Sequence, residues 1–283
     1  MKLIVLCPTY NHESSIEDCL TGFVRQKTEY DFEVRVIDDC STDNTPEIIR
    51  QYAQKYPHLI KPTLRSVNLG VKRSVWAAYP LQSETTYFTF CEGDDRWIDD
   101  YFVQKAISFL DNHPECVMFA GNTLFHDHGK KQQYLPINQK PSCWIDPDRP
   151  FYVHTSARIH QYFDRVPVGD MYLLFFYLAL GPCYFHSEVV SVYNMTGSGS
   201  WSSLDRITQW RQTMAGFYAL NKLYNFRYDD SYSHCLFTKR RHLLWWPIKR
   251  VLGPKRFWKW YSNWKNFSDD AVIEWSDDFV HDN

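Results

Sequence analysis

Residues 32–45 read FEVRVIDDCSTDNT, and the change of character part-way through this stretch decides the fold. Residues 32–37 have the aromatic and β-branched content of a strand. Asp38-Asp39-Cys40-Ser41-Thr42-Asp43-Asn44-Thr45-Pro46 then supplies loop residues, helix-capping side chains and a proline suited to a first helical turn. A helix is expected over 47–56. Strand, polar loop and helix follow one another here, with carboxylates at the strand's carboxyl end.

The same alternation extends in both directions. Upstream, residues 2–7 (KLIVLC) form an apolar run closed by Pro8, as in a buried parallel strand. Residues 13–26 then place Ile16, Cys19, Leu20, Phe23 and Val24 at spacings of three and four, which predicts an amphipathic helix and completes a βαβ unit. Downstream come a short strand over 59–64, a turn at Asn68-Leu69-Gly70, a helix over 71–81, a strand over 86–91, a helix over 101–112 and a strand over 116–120. About 120 residues of alternation predict a mostly parallel sheet covered by helices on both faces. In open sheets of this kind ligands bind beyond the carboxyl ends of the strands, where Asp38-Asp39 and Glu92-Gly93-Asp94-Asp95 both fall.

Composition narrows the function. The chain has 283 residues, enough to bury a proper core. A net charge of -2 and a pI near 6.6 give no whole-protein reason to expect nucleic-acid binding. The four-residue apolar run near the start is too short for a signal-peptide core, and no stretch approaches a membrane span, so a soluble, cytoplasmic chain is expected. Eight cysteines without a C-x-x-C pair suit free thiols. Asn194-Met195-Thr196 and Asn266-Phe267-Ser268 match the glycosylation acceptor pattern, which is short and carries little weight without an export signal.

Carboxylates clustered in a strand-end turn can hold Mg2+ or Mn2+ against diphosphate oxygens, and such a cation stabilises a diphosphate leaving group. Glu92, Asp94 and Asp95 meet that need; a solvated acidic turn is the alternative for the tetrapeptide alone. A second Asp-Asp pair at another strand end, some 50 residues earlier, favours the metal, because crowded like charges raise one another's pKa unless a cation is present. Lys72 and Arg73 are placed to approach a diphosphate from a helix start, or to form a solvated face.

Four segments in order, Cys7-Pro8-Thr9-Tyr10-Asn11, VIDDCSTDNT (36–45), NLGVKRS (68–74) and CEGDDRW (91–97), make the chain resemble family 2 of the inverting glycosyltransferases, whose fold is called GT-A. The resemblance implies that Pro8, Thr9, Tyr10 and Glu13 line the base and ribose pocket of a nucleotide-sugar donor, UDP-linked by analogy. It implies that Asp39 contacts the base and that Glu92-Gly93-Asp94 occupies the DxD metal position, with Glu92 a departure from the first aspartate. More weakly it covers Pro167-Val168-Gly169-Asp170 and residues 191–202, and implies that Asp170 is the general base acting on the acceptor hydroxyl. Read alone, a core aromatic is the alternative for Tyr10, and an aspartate at a helix start such as Asp170 is more often a cap.

The expected organisation is a GT-A domain over 1–203, with a nucleotide-sugar half (1–125) and an acceptor half (126–203), then a helical extension over 204–283. Residues 126–150 read as a long excursion or lid, and 197–202 as a glycine-rich loop. His126-Asp127-His128 lacks further ligands and receives no role. Residues 239–265 contain nine Lys or Arg, five Trp and no acid, whereas 266–283 contain six acids. This segment suits either peripheral contact with anionic lipid at the inner membrane face or packing on the catalytic domain. Transfer of a hexose or N-acetylhexosamine to a glycan or lipid-linked glycan is the leading expectation. A nucleotidyltransferase would need a glycine-rich loop after the first strand, which is absent, and a non-catalytic glycan-binding or assembly protein is the remaining alternative.

Overall fold

The seven residues of β1 (Leu3–Thr9) are all buried, which is why they read as a continuous apolar run rather than an alternating one. β1 pairs in parallel with β2 (Phe32–Asp38) on one side and β4 (Tyr87–Phe90) on the other, while β3 (Ile60–Leu64) adds in parallel to the outer edge of β2. The order β3-β2-β1-β4 reverses direction of winding at β1, so a crevice opens at the carboxyl ends of β1, β2 and β4. This is the mostly parallel, helix-flanked α/β sheet that the sequence pattern predicts. The computed structural model describes residues 1–71, 73–74, 78, 85–127, 133–134, 143–145 and 182–195, with a few isolated positions after 203.

α1 (Ile16–Val24) turns Ile16, Cys19, Leu20 and Phe23 inward, as its spacing requires. α2 (Thr45–Lys55) begins with Pro46 in its first turn and buries Thr45 and Ile49. After the acidic loop and the two-residue strand β5 (Arg96–Trp97), α3 (Phe102–Asn112) buries Phe102, Val103, Ile107 and Leu110. Each such apolar side chain contributes roughly 1.5–3 kcal/mol on leaving water. Trp97 ties these helices to the acidic loop. Its ring meets Phe23 edge-on at 4.9 Å and Phe102 at 5.0 Å, and Gly22 lets α1 come so close that an added Cβ would lie 2.7 Å from the Trp97 carbonyl oxygen.

The second half of the described chain departs from the expected pattern. A mixed sheet joins β5, β9 (Cys183–Met195), β6 (Met118–Asp127) and β7 (Gln133–Tyr134), with β8 (Cys143–Ile145) also on β9. β6 continues well past residue 120, and β9 runs for 13 residues beside it in parallel, with an irregular register near Gly121, Asn122 and Thr123. Residues 126–150 are therefore not wholly an excursion, because β7 and β8 return to pair with this sheet. At two and three residues, β7 and β8 are too short to show a strand period in the sequence.

Asn194 of the first glycosylation-like triplet is buried, and its side-chain amide is engaged within the protein, so it serves structure. The six cysteines 7, 19, 40, 91, 116 and 183 are free thiols, as expected. Among the described residues no helix is long and apolar enough to cross a membrane. Lys72, Asp170, the loop over 197–202, Asn266 and nearly all of 239–265 lie outside the described residues, as does the division at residue 203.

Candidate nucleotide-sugar site

Three strand ends meet at the crevice. Thr9 ends β1 opposite Asp38 of β2, and the Asp39 amide donates to the Thr9 carbonyl at 3.0 Å. On the other side the Gly93 amide donates to the Pro8 carbonyl at 3.0 Å, which brings the acidic loop after β4 against the same strand end. Gly93 is required there. A Cβ at this position would stand 2.6 Å from Thr9 Oγ1 and 3.0 Å from His12 Nδ1.

The loop after β1 is stitched to the loop after β2 by reciprocal bonds. Asn11, in the left-handed region at φ 55°, donates its amide to Ser41 Oγ at 2.8 Å and accepts from the Thr42 amide at 2.8 Å through Oδ1. The Glu13 amide donates to Asp43 Oδ2 at 3.0 Å, and Glu13 Oε2 accepts from the Asn44 amide at 3.0 Å. Burial opposes ionisation of Asp43, but hydrogen bonds from Thr45 and Glu13 outweigh it and hold the carboxyl below its usual range. Glu13, expected to line the ribose pocket, thus fastens the pocket's two loops and caps the entrance of α2. Tyr10 is 45% exposed at the end of β1 and so is no core aromatic.

The first aspartate pair is engaged in building the site. Asp38 accepts from the Ser41 amide at 3.0 Å and from the Ser41 hydroxyl. Asp39 Oδ1 accepts from the Leu69 amide and the Ser74 hydroxyl, each at 3.0 Å, and Oδ2 accepts from the Gly70 amide at 2.8 Å. Arg65 stands behind them, its Nε donating to Ser74 Oγ at 2.8 Å and lying 4.0 Å from Asp39 Oδ1. Asp39 therefore moulds the Asn68-Leu69-Gly70 turn. Arg73 is exposed on the short helical stretch that follows this turn.

The second pair is held differently. Glu92 is exposed, while its carbonyl accepts from the Asp95 amide at 2.9 Å and from Cys19 Sγ at 3.4 Å. Burial foremost, with the thiols of Cys7 and Cys91 beside it, pushes the Cys19 thiol well up and keeps its proton in place for that bond. Asp95 Oδ1 accepts from the Asn194 amide at 2.9 Å; burial, then the charges of Asp94 and Glu92, raise the Asp95 carboxyl well above its ordinary value. Asp94 is only 8% exposed, and its Oδ1 is buried with no hydrogen-bond donor among the described residues. Its Oδ2 lies 3.8 Å from His12 Nε2.

Two residues here carry no clear sequence signal. His12 follows directly after the matched segment 7–11, and its ring is oriented by a 3.1 Å bond between Nδ1 and Thr9 Oγ1. Thr9 itself is buried, and its hydroxyl supports the His12 ring. Asn194 bolts the acidic loop to β9, its side-chain amide donating to the Asp94 carbonyl and its Oδ1 lying 3.0 Å from His126 Nδ1. The Asn194 role rests on a contact across 100 residues.

The family model for glycosyl transferase family 2 matches residues 4–165, more than half of the chain. The chain belongs to that family. A Mycobacterium tuberculosis protein of uncharacterized function is 32% identical over 209 residues, covering 69% of this chain and 59% of the relative, so this chain spans less than two thirds of that relative's length. The poly(ribitol-phosphate) β-N-acetylglucosaminyltransferase TarS of Staphylococcus aureus is 35% identical over 164 residues, which are 57% of this chain and 28% of TarS. The crystal structure of TarS residues 1–349 with UDP-GlcNAc superimposes with a TM-score of 0.56 at 18% identity, covering 77% of this chain and 66% of that one. The mannosyltransferase PcManGT of Pyrobaculum calidifontis, solved with GDP-Man and Mn2+, gives 0.55 at 15% identity, covering 96% and 86%. The family 2 domain thus has the GT-A fold that its sequence resemblance implied.

Proposed function

We propose that this chain is an inverting glycosyltransferase that moves a sugar from a UDP-linked donor to a glycan or lipid-linked glycan, with help from a divalent cation. The observation that carries the reading is Asp94, whose buried Oδ1 has no donor among the described residues yet sits at the crevice where β1, β2 and β4 end. A buried carboxylate oxygen without a partner costs free energy. Asp94 is an oxygen donor of the kind that would hold a hard cation, and such a cation would supply the missing charge. When bound, the cation stabilises the nucleoside diphosphate as it leaves.

The remaining roles follow from the residues around it. Asp39 accepts three hydrogen bonds from described groups, and a carboxylate offers about four acceptor positions, so one remains for an imino N–H such as uracil's. Tyr10 offers an exposed ring beside it for stacking on the base. Arg73, with Lys72, adds positive charge towards the diphosphate. Asp170, by the resemblance of its segment, takes the proton from the acceptor hydroxyl as that oxygen attacks the anomeric carbon from the face opposite the diphosphate. TarS, solved with UDP-GlcNAc, makes N-acetylglucosamine the first sugar to test. A lipid-linked acceptor suits the basic, tryptophan-rich run over 239–265, which matches an anionic lipid surface.

Thermal-shift titration with UDP, GDP, dTDP and CMP, each with and without Mn2+, tests the reading, because a ligand that binds the native state raises its melting temperature. UDP is expected to stabilise the protein in a metal-dependent way that Asp94→Asn abolishes. Stabilisation by none of the four, together with retained glycan binding in Asp94→Asn, would favour a non-catalytic glycan-binding role.

A further inference from the structure

We infer that His12 is a nitrogen ligand of the cation, paired with Asp94, and that it biases the site towards Mn2+ over Mg2+. The inference rests on the metal-assisted reading above and adds a donor that the acidic motif does not contain. His12 Nε2 and Asp94 Oδ2 are 3.8 Å apart, too far for a hydrogen bond. Two donors that each lie about 2.1 Å from a shared cation stand between about 3 and 4.2 Å apart, and this separation falls inside that window.

The ring is also prepared as metal-binding histidines are. A ligating imidazole is held through its second nitrogen, which sets its orientation and tautomer. Here Thr9 Oγ1 holds Nδ1 at 3.1 Å and leaves Nε2 turned to Asp94. The main chain is fixed as well: the His12 amide donates to Thr45 Oγ1 at 2.9 Å, and its carbonyl accepts from the Ser15 and Ile16 amides at 3.0 and 2.8 Å. Gly93 is the residue that permits the arrangement, since any Cβ there would collide with both Thr9 and the His12 ring. Of the described residues, His12 and Asp94 would supply two donors, with other positions open to diphosphate oxygens and water. That division is what a cation carried in with a nucleoside diphosphate needs.

The donor set has a consequence for selectivity. Mg2+ prefers oxygen and sheds water reluctantly, whereas imidazole nitrogen favours first-row transition metals. A site of one carboxylate and one imidazole therefore favours Mn2+.

Electron spin-echo envelope modulation of Mn2+ bound to the full chain with UDP tests this directly. A directly coordinated 14N is expected in the wild type, and it should shift to 15N frequencies when the protein carries 15N-labelled histidine, which separates it from the uracil nitrogens. His12→Asn and His12→Gln should each lose the coupling and bind Mn2+ at least about tenfold more weakly, with Mg2+ affinity changed far less. Melting curves identify a folded variant of the two, which then carries the comparison. Bound Mn2+ without histidine nitrogen, or with coupling that persists in the folded His12 variant, overturns the inference while leaving the metal-assisted reading intact. Mn2+ binding that is indifferent to both UDP and Asp94→Asn overturns that reading and the inference with it.

Discussion

The Asp38-Asp39 and Asp94-Asp95 pairs look alike in sequence and follow the two strands that flank β1, yet the protein treats them in opposite ways. Asp38 and Asp39 are buried and supplied with donors from Ser41, Leu69, Gly70 and Ser74. Asp94 is equally buried but keeps an oxygen without a donor among the described residues, and its neighbour Asp95 is pushed towards its neutral form. A carboxylate that is fully supplied shapes the loops around it. One that is under-supplied stores an unpaid electrostatic debt that a cation can settle, so its role is in binding.

That contrast can be broken in order of expected effect. Asp94→Asn should reduce sugar transfer by at least about a hundredfold, the scale of losing one preorganised charge-stabilising group, while leaving metal-free melting unchanged or slightly raised. Steady-state transfer assays beside melting curves check both halves. Asp39→Ala reverses the pattern. It removes the acceptor of the Leu69 amide and the Ser74 hydroxyl, leaves the Gly70 amide with Asn68 Oδ1 alone, and should cost about 1–3 kcal/mol in urea denaturation. Equal losses of stability in the two variants would erase the distinction. Gly93→Ala drives a methyl group into Thr9 and His12 and should cost about 1–3 kcal/mol, with Mn2+ affinity falling as the ring is displaced.

The smallest effect concerns Asp95. Its folded-state pKa is raised, so its contribution to stability is fully present below the ordinary carboxyl value near 3.8 and is lost as pH rises through the folded value. Asp95→Asn, which keeps an oxygen for the Asn194 amide, should flatten the pH dependence of metal-free stability and leave the variant the more stable at neutral pH. Denaturation midpoints across pH 4–8 read this out, and a wild type that gains stability over the rise would contradict it.

The parallel sheet was legible because its elements are local. The run of residues 2–7, the 3–4 spacing of α1 and the proline of α2 each declare themselves within about a dozen residues, and the motifs mark the strand ends where ligands gather. The mixed sheet was not legible in the same way. β7 and β8 are too short to show a period, and β9 pairs along its length with β6, more than 60 residues away. The same limit applied within the site. Asp94 was found by its motif, but His12 and Asn194 earn their places by approaching Asp94 from the loop after β1 and from β9.

The sequence by itself determined the α/β alternation, the family and the positions of both acidic pairs, because these depend on residue type and short spacing. Only the tertiary structure decided which pair is satisfied and which is open, and which histidine faces the open one. Hydrogen-bond supply and burial at a carboxylate come from backbone amides and side chains that the fold brings in from other strands, and residue type alone does not encode them.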